Sequence, residues 1–255
     1  MLRAFLSPLL RRAAQLSLLF FPGVACALVP PDYQEPPSDF TAEVEAGFQL
    51  NTGNTESSSF NGRTKLVYDT HNFKQEGTVK AFFASDSEKT TAEKYNLQLQ
   101  SNYKINSGYI FAQGDFTWDK FGSYTRIATI SSGYGFKPIN TTNTSMSLEV
   151  APGYRYNLPY GNDPAVDPIA EQDVILRTTA KFEQKIHEYT NFTADLVTEV
   201  GENNNTVALD LAYKNTVFQD WAFKVGFNVK YTQVVPEGTQ QTDTISTFNL
   251  LYTFQ

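Results

Sequence analysis

Lys94-Tyr-Asn-Leu-Gln-Leu-Gln-Ser-Asn-Tyr-Lys-Ile105 alternates without a break. Tyr95, Leu97, Leu99, Ser101, Tyr103 and Ile105 fall on one face of an extended chain, and Lys94, Asn96, Gln98, Gln100, Asn102 and Lys104 on the other. Successive side chains of a strand point to opposite faces, so this stretch is a strand with one greasy and one polar side. It is also long. Ordinary strands run about 5–6 residues, whereas a strand that crosses a bilayer at a tilt takes about 9–11.

The same pattern recurs outward from this segment in both directions, as Ala42, Val44, Ala46, Phe48, Leu50 near the start and Phe248, Leu250, Tyr252, Phe254 at the end. Counting every such run predicts twelve strands over 41–50, 58–68, 73–84, 94–105, 109–118, 126–137, 144–156, 173–185, 190–200, 206–217, 221–231 and 244–254. The expected fold is all-β, an antiparallel up-and-down transmembrane β-barrel of twelve strands. The connections support this reading over a soluble sandwich, because short and long ones largely alternate as in outer-membrane barrels, with Asn51–Glu56 and Gly201–Asn205 shorter than usual for the long set. Asp69–Asn72, Asn106–Gly108, Asn140–Asn143, Ile186–Glu188 and Phe218–Asp220 are short, while Ser85–Glu93, Asp119–Thr125, Asn157–Gln172 and Thr232–Asp243 are longer. An even strand count puts both termini at the short-turn, periplasmic end. A belt of Phe40, Tyr68, Phe73, Tyr103, Tyr109, Phe136, Phe182, Phe192, Trp221, Phe223, Tyr252 and Phe254 is expected there at the headgroups.

The N-terminus reads differently. Arg3, Arg11 and Arg12 precede a largely apolar run from Ala13 to Val24, and Ala25-Cys-Ala27 has the small-x-small pattern of a signal cleavage site. Residues 1–27 are therefore expected to be a signal peptide; the alternative is a lipidated Cys26. The proline-rich stretch 28–39 follows as a periplasmic lead-in, and residues 40–255 form the barrel. Cleavage after Ala27 removes the one cysteine and three arginines, leaving 17 Lys+Arg against 27 Asp+Glu. Such an acidic chain is a poor nucleic-acid partner. Outer-membrane lipids, lipopolysaccharide, the barrel-assembly machinery during biogenesis and small solutes or ions are the expected partners.

Phe248, Leu250, Tyr252 and Phe254 resemble the C-terminal assembly signal of outer-membrane proteins, although Gln255 follows the usual terminal aromatic. Ala46-Gly-Phe-Gln-Leu-Asn-Thr-Gly-Asn-Thr55, Thr91–Tyr95, Trp118–Phe121, Gly133–Phe136 and Ala151–Tyr156 resemble the YdiY-like family of salt-induced outer-membrane proteins. That resemblance implies an outer-membrane location and carries no catalytic or ligand-binding residues with it.

In this register the inward charges are thirteen basic residues against eight acidic ones, Glu43, Glu45, Glu76, Glu149, Glu183, Asp195, Glu199 and Asp210. Across hairpins Glu45 faces Arg63, Glu43 faces Lys65, Lys181 faces Asp195 and Arg177 faces Glu199, so ion pairing is expected to make the polar interior tolerable. Two functional classes follow: a structural or stress-related envelope barrel with a paired lumen, and a narrow diffusion pore with weak anion preference. Twelve strands give a backbone diameter of roughly 24 Å, between barrels that are filled and barrels that carry water. An outer-membrane hydrolase is a minor third class, since a histidine base is the usual requirement and His71 and His187 both fall in short turns. No cofactor is expected. Asp163, Asp167, Glu171 and Asp173 gather in the longest loop but match no calcium-loop spacing.

Overall fold

A computed structural model of the chain describes residues 39–52, 57–86, 89–106, 108–160, 169–235 and 240–254. The expected signal peptide and almost all of the proline-rich lead-in lie outside the described residues.

Twelve strands follow one another: β1 (Phe40–Thr52), β2 (Ser57–Asp69), β3 (Phe73–Asp86), β4 (Lys89–Ile105), β5 (Gly108–Asp119), β6 (Tyr124–Asn140), β7 (Thr144–Pro159), β8 (Glu171–His187), β9 (Thr190–Gly201), β10 (Thr206–Phe218), β11 (Trp221–Thr232) and β12 (Thr242–Phe254). Each pairs antiparallel with its neighbours in sequence, and β1 pairs with β12 from Ala42↔Phe254 to Thr52↔Thr244, so the sheet closes into a barrel with no free edge. Closure satisfies every ladder hydrogen bond inside the sheet, the condition for strands in a hydrocarbon medium. Register irregularities occur at Ala84/Ser85, Tyr124/Arg126, Phe136/Ile139, Lys185/His187 and Thr216/Phe218, all toward strand ends, where a bulge bends a barrel rim.

The outward face is apolar and open. Ile130 is 64% exposed and Val174 72% exposed, values that a soluble protein with a dry core would not tolerate across a whole surface. Rings gather at two levels. Phe73 meets Tyr103 with centroids 5.1 Å apart, and Trp221, Tyr252 and Phe254 form a second group at the same short-turn end. Phe83, Tyr95 and Trp118 make a corresponding stack toward the long-loop end. Two girdles flanking an apolar band are what a barrel in a bilayer presents at its two interfaces. Between them, Gly77, Ser101, Ala112, Gly114 and Ser132 leave a shallow outer depression of about 980 Å³.

Three expectations need correction. Ser85–Glu93 is mostly strand, because Ser85 pairs with Thr90 and Asp86 with Lys89 beyond the bulge, and β-branched Thr90 and Thr91 suit that extension. Likewise β7 continues to Pro159 and β8 begins at Glu171, shortening the long loop from both sides. Tyr109 does not belong to the outer belt; it points into the barrel and is 9% exposed.

The two faces of β4 differ by one residue in register and should differ sharply in tolerance. Leu97→Arg places a charge on the hydrocarbon-facing surface near mid-strand and is expected to cost about 2–4 kcal/mol of folding free energy. Gln98→Arg turns the same side chain inward beside the Asp115 carboxylate, 2.6 Å from the present amide, and is expected to change stability far less. Urea titration of the barrel refolded into lipid vesicles checks both; equal costs would mean that the outer face does not meet lipid.

Candidate functional site in the barrel lumen

Alternation sends one charged or amide side chain inward at nearly every second position, and these condense into three clusters. In the short-turn half, Glu45 is the hub and is 2% exposed. It pairs with Arg63 of β2, accepts from Lys224 Nζ of β11 at 2.8 Å and from Asn249 Nδ2 of β12 at 3.0 Å. Glu43, one pleat away, takes Lys214 of β10 at 3.4 Å and lies 4.0 Å from Arg63. A carboxylate removed from bulk water is tolerable only with such compensation. A polar cavity of about 230 Å³ opens beside this cluster at the short-turn mouth, between Glu43, Lys214, Gln219 and Asp220.

In the long-loop half the hub is Arg155 of β7, 3% exposed. Its guanidinium reaches Asp173 and Glu199 at 3.1 Å each and the Asn204 carbonyl at 2.6 Å, while Arg177 takes the other oxygen of Glu199 at 2.5 Å. Asp173 also accepts the backbone N–H groups of Glu202 at 2.9 Å and Asn203 at 3.2 Å. The connection between β9 and β10 is thereby folded against the barrel mouth, with Asn204 buried and bonded in both directions to the backbone of Val234.

Between the two, Glu149 of β7 accepts Tyr109 Oη at 2.8 Å and Gln100 Nε2 at 2.9 Å, and Lys181 Nζ stands 3.4 Å away. The strut spans from β4 to β8 because β6 contributes no side chain in its path. A Cβ at Gly135 would meet the Tyr109 ring at 2.4 Å, and one at Gly133 would meet the Val150 carbonyl at 2.0 Å. Phe111 and Ala151 pack beside the Tyr109 ring as a small apolar island inside an otherwise polar wall.

Other inward charges stay outside all three clusters: Lys74 pairs with Glu76 and Lys94 with Asp119, Asp115 is held by Asn96 and Gln98, and Asp210 accepts from Asn228 Nδ2 at 2.8 Å. Lys65 and Lys80 lie on β2 and β3, and Asp195 and Asp210 on β9 and β10; among the described residues no ion pair within 4.0 Å holds any of them. Lys80 and Asp210 are solvent-exposed although both point inward near mid-strand, and Lys65 and Asp195 are half-buried.

The register partners expected from the hairpins, Glu45↔Arg63, Glu43↔Lys65, Arg177↔Glu199 and Lys181↔Asp195, all stand opposite one another. Their charges meet in only two of the four cases. Glu43 goes to Lys214 of β10 instead of Lys65, because a long side chain inside a closed ring can reach a strand that is not its neighbour, and Lys181 turns to Glu149 on its other neighbour, β7, instead of to Asp195 on β9. The inward acidic set was also too small: Asp115 accepts from Asn96 and Gln98, Asp119 pairs with Lys94 at 3.3 Å, and Asp173 belongs to the Arg155 cluster rather than to an outer loop. Those three bring the lumen closer to charge balance than a basic excess implied. Asp163 and Asp167 lie outside the described residues, and Glu171 accepts from Tyr124 Oη at 3.0 Å. His71 sits in the β2–β3 turn and His187 ends β8, both at the short-turn rim. Phe248, Leu250, Tyr252 and Phe254 fall at alternate positions of β12, along the seam with β1.

Comparison with known proteins places this geometry among relatives. The profile of the family described as "Protein of unknown function, DUF481" matches residues 44–254. YdiY of Escherichia coli K12, described as an uncharacterized protein, is 24% identical over 215 residues, covering 84% of this chain and 82% of the relative. Among solved structures the barrel is similar to the translocator domain of the autotransporter NalP from Neisseria meningitidis, with a TM-score of 0.56, 10% identity and coverage of 86% of this chain and 90% of that one. It is also similar to the COG4313 outer membrane channel from Pseudomonas putida F1, with a TM-score of 0.54, 13% identity and coverage of 89% and 100%. A third likeness is to the NanC porin, with a TM-score of 0.51, 13% identity and coverage of 83% and 98%.

The Arg155 cluster is the most enclosed and its loss the most costly. Arg155→Met leaves Asp173 and Glu199 without their shared cation and is expected to lower unfolding free energy by about 3–5 kcal/mol. Tyr109→Phe deletes one hydrogen bond to a carboxylate and is expected to cost less, about 1.5–3 kcal/mol. Urea unfolding followed by tryptophan fluorescence ranks the two; a cost below ~1 kcal/mol for Arg155→Met would mean that water already screens the cluster as it does a surface pair.

Proposed function

The chain belongs to the DUF481 family of proteins of unknown function, and on that premise we propose that it is an outer-membrane diffusion channel for small polar solutes. The observation that carries this reading is the solvent exposure of Lys80 and Asp210, inward-pointing charges near mid-strand with no ion-pair partner among the described residues. A lumen filled to its axis would cover such groups, because an uncompensated charge in a dry interior costs several kcal/mol or more. Likeness to a porin and to an outer membrane channel supports the reading at the level of fold alone, and the translocator domain of similar fold is a reminder that sites, not folds, carry activity.

In this reading the chain is exported with residues 1–27 as a cleaved signal, the short turns face the periplasm and the long loops face outward toward lipopolysaccharide. The outward alternate face of β12, ending at Phe254, serves as the recognition strand for the assembly machinery. A second reading rests on the Glu149 strut, which crosses between β4 and β8 and narrows one side of the lumen. If that strut and its neighbours close the axis, the barrel is a structural component of the envelope.

Single-channel recording of the refolded chain in a planar bilayer separates the two. Discrete, reproducible conductance steps are expected. A barrel that is correctly folded, shown by heat-modifiable gel mobility, yet electrically silent would assign the lumen to the structural role.

A further inference from the structure

Lys65, Lys80, Asp195 and Asp210, none of them in an ion pair among the described residues although Asp210 accepts from Asn228 Nδ2, are not scattered. β3 and β9 stand six strands apart in a ring of twelve, so Lys65 and Lys80 on β2–β3 occupy the wall opposite Asp195 and Asp210 on β9–β10. The Asp195 carboxylate is acted on first by Lys181 beside it and by Asp210, and then by Lys65 and Lys80 across the lumen. On each wall, moreover, like charges are set side by side. Asp195 and Asp210 are direct register partners, and so are Arg63 and Lys80. Like charges directly opposite on adjacent strands destabilise a sheet. An interior arranged for stability alone would alternate signs there, as it does at Glu45 and Arg63.

The charges above and below are already spent. Arg63, Lys214 and Lys224 are taken by Glu43 and Glu45, Arg155 and Arg177 by Asp173 and Glu199, and the Lys181 ammonium, although Lys181 is the register partner of Asp195, by Glu149 and Gln100. Lys230 of β11 stands among charges of both signs, Lys94, Glu199, Asp115 and Asp243. Glu76 of β3, the acid nearest in effect to Lys65, is taken by Lys74, and what is left at mid-barrel is a positive wall facing a negative wall. Low-dielectric surroundings focus the field between them.

We propose that this transverse field makes the channel selective for zwitterionic solutes of amino-acid size over neutral or singly charged molecules of the same bulk. The proposal rests on the channel reading given above. A neutral molecule gains nothing from the field, and a lone charge attracted to one wall is repelled by the other. A zwitterion can turn its carboxylate to Lys65 and Lys80 and its ammonium to Asp195 and Asp210, gaining at both walls. Nearly balanced walls also imply little discrimination between small cations and anions.

The test uses the full mature chain reconstituted in phosphatidylcholine vesicles, with uptake of alanine, lactamide and lactate measured after subtraction of leak into protein-free vesicles. These three probes share a three-carbon skeleton and nearly the same bulk, and differ in the charge of their polar groups. Alanine is expected to enter about fivefold faster than lactamide, the factor a single charge contact at ~4 Å supplies even in water. Neutralising all four charges, Lys65→Gln/Lys80→Gln/Asp195→Asn/Asp210→Asn, should abolish that preference, and exchanging all four, Lys65→Asp/Lys80→Asp/Asp195→Lys/Asp210→Lys, should restore it, because a dipole aligns equally well in a reversed field. Heat-modifiable mobility and circular dichroism establish that each variant is folded, and should the exchange variant not fold, Asp210→Asn alone must lower the alanine-to-lactamide ratio. Equal rates for alanine and lactamide through a conducting wild-type barrel would overturn the proposal, whereas absence of any conductance would overturn the channel reading beneath it.

Discussion

The pairing of β1 with β12 from Ala42↔Phe254 to Thr52↔Thr244 is the constraint on which the rest of the molecule depends. A sheet surrounded by hydrocarbon has no water to satisfy an open edge, so the first and last strands must find each other or the barrel has no reason to exist in a bilayer. Once that seam is formed, inside and outside are fixed for every residue. One-residue slippage at the seam would present Glu43 and Glu45 to lipid and Val44 to the lumen, reversing a whole face at once. Phe248, Leu250, Tyr252 and Phe254 are therefore as much register marks for the seam as they are lipid contacts.

Closure also dictates the chemistry of the interior. Inward side chains face others across a confined, partly dehydrated space, and charges there must be compensated or left near water. Both solutions occur. Glu45 and Arg155 are nearly inaccessible and each is surrounded by partners, whereas Lys80 and Asp210 are exposed and have no counter-ion among the described residues. The clusters brace the two ends of the barrel, the short-turn one across β1, β2, β10, β11 and β12, the long-loop one across β7, β8 and β9. The middle is held differently, by the Glu149 strut on one flank only, and that asymmetry leaves the opposed charged walls their space.

Strand number, order and register were legible from alternation because each is a local property with a period of two. β4 could be read in full from Lys94 onward. Its first residues could not, since Thr90 and Thr91 carry no alternation and only the pairing of Thr90 with Ser85 and of Lys89 with Asp86, beyond the bulge at Thr91, makes them strand. β5 was the instructive case. Tyr109, Ile110 and Phe111 are apolar at both parities, so the start of the strand does not say which face is which. Phe116 and Trp118 against Asp115 and Asp119 do, and counting back by twos from them puts Tyr109 and Phe111 inside. The ionic partners were half legible. Glu45–Arg63 and Arg177–Glu199 join directly opposed residues of a hairpin, and Lys181–Glu149 joins neighbouring strands two residues off register, but Lys214–Glu43 and Lys224–Glu45 join strands whose proximity exists only after the ring has closed.

This distinction bears on how such a barrel can acquire a function. The outer face and the seam are tied to the bilayer, and a change at either is punished through the whole sheet. A lumen position in the middle of a strand is coupled to far less: exchanging Lys80 or Asp210 alters no ladder hydrogen bond, no lipid contact and no ion pair among the described residues. A porin, a channel and a translocator domain can therefore share this architecture at 10–13% identity, because their fold is specified by alternation, which many sequences satisfy. What passes through is specified by a handful of inward side chains that alternation leaves free. In this chain Lys65 and Lys80 on one wall and Asp195 and Asp210 on the other are held by no ion pair among the described residues, and the direct register pairing of Asp195 with Asp210 and of Lys80 with Arg63 is a destabilising arrangement that stability alone does not explain.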